Sequence, residues 1–169
     1  NVGNCWNYMT GMTVAAPGTI AIYMGNTTDT IIGLTQVTGD ISAFTWATSL
    51  TLNGYSGEDT FYIHESDTAV YIYESIDDTL PDKYLVLPIE SGSTWNVNPD
   101  VIATVLGYID VSVPAGDYSD CWEIAFVEND ETTLVYLAHN VGEVKGWSQY
   151  SIADTTVTIR LDLESATVQ

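Results

Sequence analysis

The side chains that most often carry catalysis and metal binding are scarce in this sequence. His64 and His139 are its only histidines, so a histidine base or a zinc site would have to use one of them. The alternative interpretation is two ordinary surface or half-buried histidines. Gly-x-Ser-x-Gly, His-Glu-x-x-His and glycine-rich phosphate-binding patterns do not occur. We therefore expect a protein that is not an enzyme and carries no cofactor, with calcium as the one exception.

Calcium prefers hard oxygen ligands from loops, and several carboxylates lie in predicted loops. Asp117 and Asp120 fall in one acidic segment, and Glu128, Asp130 and Glu131 fall in a second. These segments are the weak calcium candidates. Their spacing does not match an EF-hand loop, so solvated carboxylates are the alternative. A glycosidase pair of carboxylates is also conceivable in principle, but no two residues are singled out by their context.

The two cysteines, Cys5 and Cys121, allow a single disulfide. Such a bond would close a loop of more than a hundred residues and stabilise the fold by about 4–5 kcal/mol in the chain-entropy model. The alternative is two separate buried thiols, because a free cysteine packs as a small apolar residue. The sequence leaves both interpretations open.

Two features of the sequence point to carbohydrate. Asn26-Thr27-Thr28 is an N-x-[ST] acceptor, and it lies in a predicted turn where a glycan would be accommodated. The tryptophans form a candidate platform for stacking on sugars, although their places in strand patterns favour the core. They are Trp6, Trp46, Trp95, Trp122 and Trp147.

The charge of the chain excludes some partners. The 169 residues include 23 Asp and Glu but only Lys83, Lys145 and Arg160 as bases, which gives a net charge of −20. A surface of this sign repels phosphate backbones, so nucleic acid is excluded and an anionic membrane surface is disfavoured. No run approaches the roughly 18 apolar residues of a membrane span. Cations, neutral glycans and apolar ligands remain open as partners.

The segments that contain these residues have the sequence pattern of β-strands. Pro114-Ala115-Gly116 is a tight turn between apolar runs, because proline fixes φ and glycine permits a positive φ. In residues 155–163, alternation places Val157, Ile159, Leu161 and Leu163 inward. The same pattern directs Thr156, Thr158, Arg160 and Asp162 outward to water.

Turn signals divide the rest of the chain in the same way. Residues 19–24 are predicted to form a strand that ends at Gly25-Asn26. Asn53-Gly54 is predicted to form a hairpin turn, and residues 56–59 are predicted to lengthen its loop. Residues 101–113 are a long strand kinked at Gly107, although Asn98-Pro99 also resembles a helix start. The pattern predicts an all-β fold over residues 1–169. We expect one antiparallel domain of about 10–12 short strands, as a strongly curved sheet, open barrel or sandwich.

Four segments occur in an order that resembles a known group of proteins. They fit the patterns G-N-x-W-x-Y from Gly3, L-P-x-x-x-G-x-x-W from Leu87, V-P-A-G-x-x-x-x-C from Val113 and Y-x-A-x-x-V-G-x-V-K from Tyr136. Together they are similar to secreted or lipid-anchored prokaryotic β-domains. The departures are Cys5, where that group has Ser or Thr, and His139-Asn140, where it has Pro-Gly. The resemblance implies an extracytoplasmic curved antiparallel sheet and no particular activity.

Two functions follow from these observations. The first is a non-catalytic structural protein, a subunit of an extracellular fibre or surface assembly that associates with copies of itself through strand edges. Its terminal strands would be exchanged between neighbouring subunits. The alternative is a cell-envelope or periplasmic module whose curved sheet holds an apolar or glycan ligand. Both place the chain outside the cell or at its surface, and the start at Asn1 is typical of a processed protein.

Overall fold

The computed structural model describes residues 1–129 and 131–169, and most of them lie in β-strands. The strands are β1 (Cys5–Ala16), β2 (Thr19–Val37), β3 (Ile41–Leu52), β4 (Tyr55–Glu65), β5 (Ala69–Tyr73), β6 (Asp82–Val86), β7 (Thr94–Asn96), β8 (Val101–Val113), β9 (Gly116–Glu128), β10 (Glu131–Ala138), β11 (Gly142–Ile152) and β12 (Thr155–Thr167). A single 3-10 turn, Thr38–Asp40, joins β2 to β3. Among the described residues, no helix is long and apolar enough to cross a membrane.

All 12 strands form one antiparallel sheet in the order β6-β5-β4-β3-β2-β1-β12-β11-β10-β9-β8-β7. Strands β1 to β6 and β7 to β12 are therefore two meanders, and they are joined at the centre of the sheet by the pairing of β1 with β12. The predicted all-β fold with a strongly curved antiparallel sheet is confirmed. Several strands are much longer than predicted, since β2 alone has 19 residues.

The sheet curves until its two edge strands meet, and we call the junction of β6 with β7 the seam. Lys83 N donates a hydrogen bond to Val97 O at 2.9 Å, and the Trp95 indole donates to Lys83 O at 2.9 Å. Beside them, Asn98 Nδ2 donates to Asp82 Oδ1 at 3.1 Å. The sheet is therefore nearly closed into a barrel.

Packing across this curve defines the inner face of the sheet. Tyr84 on β6 stacks on Phe126 on β9, with ring centroids 5.2 Å apart, although these strands are far apart in the strand order. Next to this pair, a buried cluster fills the space behind the seam. Its members are Leu85, Trp95, Val97, Ala103, Val105 and Ile124.

A second buried cluster closes the end of the barrel at which the chain begins. Trp6 and Tyr8 from β1 pack there with Leu163 from β12. The turn between β8 and β9 reaches the same place, where Ala115 N donates to Leu163 O at 2.9 Å. The predicted Pro-Ala-Gly turn is confirmed, and its role is to cover this end of the barrel.

At the opposite end, four strands extend beyond the rest of the sheet. Among the described residues, strand β3 pairs with β2 only from Gly25 onward, and β10 pairs with β11 only as far as Gln149. The first half of β2 therefore pairs on one side only, with the second half of β1. We call residues 11–24 and 150–160, which lie in β1, β2, β11 and β12, the projection.

Two predicted strand boundaries are wrong. Gly25 and Asn26 do not end a strand, because β2 continues through them and pairs with β1 and β3 on its two sides. Residues 56–59 do not extend a loop either, because β4 begins at Tyr55 directly after the two-residue turn. In both places cross-strand hydrogen bonds outweigh the local turn preference. The kink predicted at Gly107 is confirmed as a register shift in β8.

The alternation predicted in β12 is correct for its buried side but fails at Asp162. Val157 and Leu163 are buried as expected. Asp162 was expected to face water, yet only 3% of it is exposed. The Arg160 guanidinium reaches along the strand to the Asp162 carboxylate, with Nη2 3.0 Å from Oδ1, and covers it. An arginine two residues away thus shields the carboxylate on the outer face.

Candidate ligand-binding cavity

The interior of the barrel is not filled uniformly, and a cavity of about 420 Å³ lies beside the seam cluster. Its wall combines aromatic and aliphatic side chains from β6, β8, β9, β10, β11 and β12 with a few polar groups. The lining residues are Tyr84, Val101, Phe126, Glu128, Glu131, Thr133, Val135, Glu143, Gly146, Trp147, Ser148, Ile159 and Leu161. The exposed residues Glu128 and Glu131 place the mouth of the cavity next to the turn between β9 and β10.

Glu143 is brought into the barrel by an irregularity in β11. Tyr136 pairs with Lys145, whereas the next residue, Leu137, pairs with Glu143, so β11 carries one extra residue, Val144. This bulge separates Glu143 from Lys145, which lies over the Tyr136 ring at 5.5 Å. Glu143 therefore faces the cavity and not the solvent.

The carboxylate of Glu143 occupies space that Gly146 leaves free. A Cβ atom on Gly146 would lie 2.6 Å from Glu143 Oε1, closer than real Cβ atoms approach other atoms. Within the described residues, no hydrogen-bond donor contacts this carboxylate. Burial, followed by repulsion from Asp29, raises the pKa of Glu143 to about 8. A neutral, protonated acid is the main form of this group at pH 7.

Asp29 is the second carboxylate inside the barrel, and unlike Glu143 it has a partner. Thr48 Oγ1 donates to Asp29 Oδ1 at 2.7 Å. Burial raises the pKa of Asp29, and the Thr48 hydroxyl and the Trp46 indole oppose this shift. The Trp46 indole nitrogen is buried and makes no hydrogen bond of ordinary geometry to the described residues. It therefore favours the Asp29 carboxylate through proximity alone.

Two tyrosines complete the polar part of the interior. The Tyr8 hydroxyl donates to the backbone carbonyl of Glu143 at 3.1 Å, which ties β1 to the bulged part of β11. Burial, together with the nearby carboxylates of Glu143 and Asp29, raises the pKa of both Tyr8 and Tyr84 far above the usual range. Both phenols are therefore neutral hydrogen-bonding groups at any physiological pH.

The calcium candidates that the structure describes lie at the two ends of β9. Asp117 and Asp120 lie exposed near the start of β9, where the Ser112 hydroxyl donates to Asp117 at 2.6 Å and Asp120 N donates to Asp110. Glu128 lies at the other end of the same strand. Asp130 lies outside the described residues. Among the residues that are described, no group of three or more His, Cys, Asp or Glu side chains is placed to hold a metal ion.

The cysteines form two separate thiols in this structure. Cys5 contacts the Thr30 hydroxyl on the face of β1 opposite Trp6, because neighbouring residues of a strand point to opposite faces. Cys121 is fully buried and packs in the cluster that contains Trp6. Cys121 is the buried thiol of the second interpretation, whereas Cys5 is only half-buried.

The glycosylation candidate and the histidines lie apart from the cavity. Asn26 is exposed in the middle of β2 and not in the predicted turn. His64 Nδ1 lies 3.0 Å from Ser42 O, and its ring stacks on Tyr71. His139 is exposed and, with Asp120, lines a second cavity of about 500 Å³ next to the Tyr108 and Trp122 rings.

The tryptophans do not form a common sugar platform. Trp6 and Trp46 stack on each other at 4.8 Å, and Trp46 also stacks on Phe61. Trp95 is buried behind the seam, and Trp122 packs against Tyr108 with centroids 3.8 Å apart. Trp147 is half-buried, and its ring lies on the outer face beside Arg160, because its neighbours Gly146 and Ser148 line the cavity. The expectation that most of these rings belong to the core is confirmed.

Comparison with known proteins identifies the fold but no family. The chain matches no protein-family profile and no curated protein sequence. It is similar in structure to a putative lipoprotein from Parabacteroides distasonis, with a TM-score of 0.50 and 12% identity over 99% of this chain and 96% of that one. A DUF1329 family protein from Desulfovibrio piger matches with a TM-score of 0.31, at 7% identity over 100% of this chain and 87% of that one. The first likeness shows a shared barrel-like fold.

Proposed function

We propose that this chain is a non-catalytic binding module that holds an apolar ligand inside its curved sheet. The observation that carries this proposal is the cavity of about 420 Å³. Its size is within the range of pockets that hold small molecules, and its wall has the usual composition of a binding site, mainly apolar with a few polar groups. A glycan is a poorer fit, because most tryptophan rings stack on other rings of the chain.

The same proposal includes a place at the cell envelope or outside the cell. Two points support it: the four segments that resemble secreted or lipid-anchored β-domains, and the likeness of the fold to a protein described as a putative lipoprotein. The net charge of −20 adds that the partner is neither nucleic acid nor an anionic membrane surface.

A neutral fluorescent probe, N-phenyl-1-naphthylamine, tests the cavity. We expect its emission to rise when it binds the wild-type protein. Ser148→Phe places a ring in the cavity wall and should abolish the rise, whereas Ser151→Phe, on an exposed site of the same strand, should not. Equal probe binding by both variants, with folding checked by circular dichroism, would contradict the proposal.

A second candidate function, the structural subunit, is favoured by the free edge of the projection. Met24 N donates to Asn53 Oδ1, and Asn53 N donates to Met24 O, so both backbone groups of Met24 point away from β1. Strand alternation directs the same groups of Ile20 and Ile22 to this side. No described residue pairs with them, and the two side chains are 70% and 64% exposed. Such an edge is a template for another strand.

Charge makes a second copy of this chain the best partner for that edge. The first 28 residues carry no charged side chain, although the whole chain has a net charge of −20. Two copies can therefore approach edge to edge here with little local repulsion. The terminal strands β1 and β12 pair with each other at the centre of the sheet, so the edge of β2 replaces them as the contact in this hypothesis.

Light scattering and negative-stain electron microscopy test the assembly. We expect oligomers or fibres of the wild-type protein that Ile22→Lys disperses, because a charge on an edge blocks strand pairing. Leu80→Lys, at an apolar loop residue that is 85% exposed, is the matched control and should leave assembly intact. A monomer of 18.4 kDa at every concentration would rule out the structural role and leave the binding role untouched.

A further inference from the structure

The most unusual group in the interior is the Glu143 carboxyl, which faces an apolar cavity without a partner among the described residues. Buried carboxyl groups are normally paired with a base or with hydrogen-bond donors, because leaving them alone is costly. Gly146 provides the space that this side chain occupies. Glu143 is therefore held towards the cavity by the bulge in β11 and by a residue without a side chain.

The other ionisable groups around Glu143 make the interior acidic or phenolic throughout. They come from β1, β2, β6, β9 and β10, and they are Tyr8, Asp29, Tyr84, Glu128 and Glu131. In the described part of the chain, the cavity wall contains no Lys, Arg or His. The bases lie elsewhere: Lys145 is over the Tyr136 ring and Arg160 pairs with Asp162. The positive charge that would complement Glu143 is therefore not supplied by this surrounding wall.

Aromatic rings lie in the same wall. Tyr84 and Phe126, which stack on each other, line the cavity. The face of an aromatic ring attracts a cation, and Trp and Tyr are the stronger partners. A carboxylate beside aromatic rings, here Tyr84 and Phe126, is the chemistry by which proteins bind ammonium groups. An anionic headgroup would find only acids and phenols here.

We propose that the ligand of this cavity is an organic cation, an amphiphile whose ammonium group binds the Glu143 carboxylate and whose apolar body packs on the cavity wall. This inference rests on the binding function proposed above. A bare metal ion is a poorer fit, because Ca²⁺ needs six or more oxygen ligands and no described cluster of three acidic, His or Cys side chains exists.

The test is calorimetric titration of the full chain with three ligands of equal chain length, used below their micelle concentrations. They are octyltrimethylammonium, neutral 1-octanol and octyl sulfate. At pH 9, where Glu143 is mainly ionised, we expect the cation to bind at least about tenfold more tightly than the alcohol and the sulfate to bind most weakly. Because a quaternary ammonium keeps its charge at every pH, any change of its affinity with pH reports on the protein.

The pH dependence has a definite sign. As Glu143 ionises between pH 6 and 9.5, octyltrimethylammonium should bind more tightly and 1-octanol more weakly. Glu143→Gln should remove the preference for the cation and most of its pH dependence, and it should leave the affinity for 1-octanol at pH 6 unchanged. Glu65→Gln, at an exposed acid of β4, is the matched control for the change in net charge.

A second variant, Gly146→Ala, displaces the carboxylate without removing it, and should also weaken binding of the cation more than that of the alcohol. Equal affinities for the cation and the alcohol in the wild-type protein, or an unaltered preference in Glu143→Gln, would overturn the inference and leave the apolar binding site intact. Failure of all three ligands to bind would instead overturn the proposed binding function itself.

Discussion

The seam cluster and the Glu143 cavity lie side by side on the inner face of the same sheet, yet they are built differently. Leu85 packs in the seam cluster and its neighbour Tyr84 lines the cavity. On β9 the same change occurs between Ile124 and Phe126. One region is filled by aliphatic side chains and the Trp95 ring, and the other leaves space and contains acids. The comparison separates the part that stabilises the fold from the part that is free to bind.

The largest expected effect is a contrast between two isoleucines. Ile124 is fully buried in the seam cluster, whereas Ile159 lines the cavity and is only half-buried. We expect Ile124→Ala to lower the free energy of unfolding by about 2–5 kcal/mol, and Ile159→Ala to lower it by less than about 1.5 kcal/mol, because its removal enlarges a space that already exists. Urea unfolding of both variants measures this. Equal losses would show that the cavity wall is packed as tightly as the seam.

The next effect concerns pH. Below its ordinary pKa, Glu143 is protonated in both the folded and the unfolded protein, so its ionisation does not change the free energy of unfolding in that pH range. Its folded pKa is about 8, so between these values the unfolded chain ionises first and the free energy of unfolding falls as the pH rises. We expect a loss of about 1–3 kcal/mol from this group, less than full burial implies, because the cavity opens to solvent beside Glu128 and Glu131.

Denaturant unfolding at pH 5 and pH 8.5 measures that loss. Glu143→Gln should make the free energy of unfolding less dependent on pH than in the wild-type protein. Glu58→Gln, at an exposed acid, changes the net charge equally and should keep the wild-type dependence. Parallel pH profiles for Glu143→Gln and the wild-type protein would mean that Glu143 is as well hydrated as a surface acid.

The smallest effect separates the two interior acids. Thr48→Val removes the hydroxyl that donates to Asp29, and we expect it to lower the free energy of unfolding by about 0.5–1.5 kcal/mol at pH 8. At pH 4 the loss should be smaller, because the donor stabilises the carboxylate and not the neutral acid. Thr51→Val, at an exposed residue of β3, provides the control. A loss that does not vary with pH would assign the role of Thr48 to packing.

Patterns of alternation and turn residues were sufficient to predict the fold class, and they failed where strands pair irregularly. Turn chemistry at Pro114-Ala115-Gly116 and Asn53-Gly54 indicated hairpins that the structure contains. Turn chemistry also predicted that a strand ends at Gly25-Asn26, but β2 continues there because it pairs with strands on both of its sides. The local preference of turn residues predicts the structure correctly where no neighbouring strand pairs with the segment.

The same sequence patterns do not predict the cavity. Glu143 and Lys145 are two residues apart, so strict alternation assigns them to one face, and only the extra residue in β11 separates them. Asp29 was missed for another reason, because its neighbours are mostly polar threonines that give no apolar pattern. The available signal was Gly146, a residue without a side chain in a strand, which often marks a close approach. A glycine in a strand indicates that another group approaches it closely, but it does not indicate which residue that is.

The pairing of β1 with β12 has a consequence for how the protein is made. Within each meander, every strand finds its partner in the next stretch of chain, so these contacts can form early during synthesis. The ladder from Cys5–Thr167 to Ala15–Thr156 instead joins the beginning of the chain to its end. Contacts of such long sequence separation form slowly. We expect a nascent chain to hold two separate curved ribbons until the last strand leaves the ribosome, and the interior to close only then.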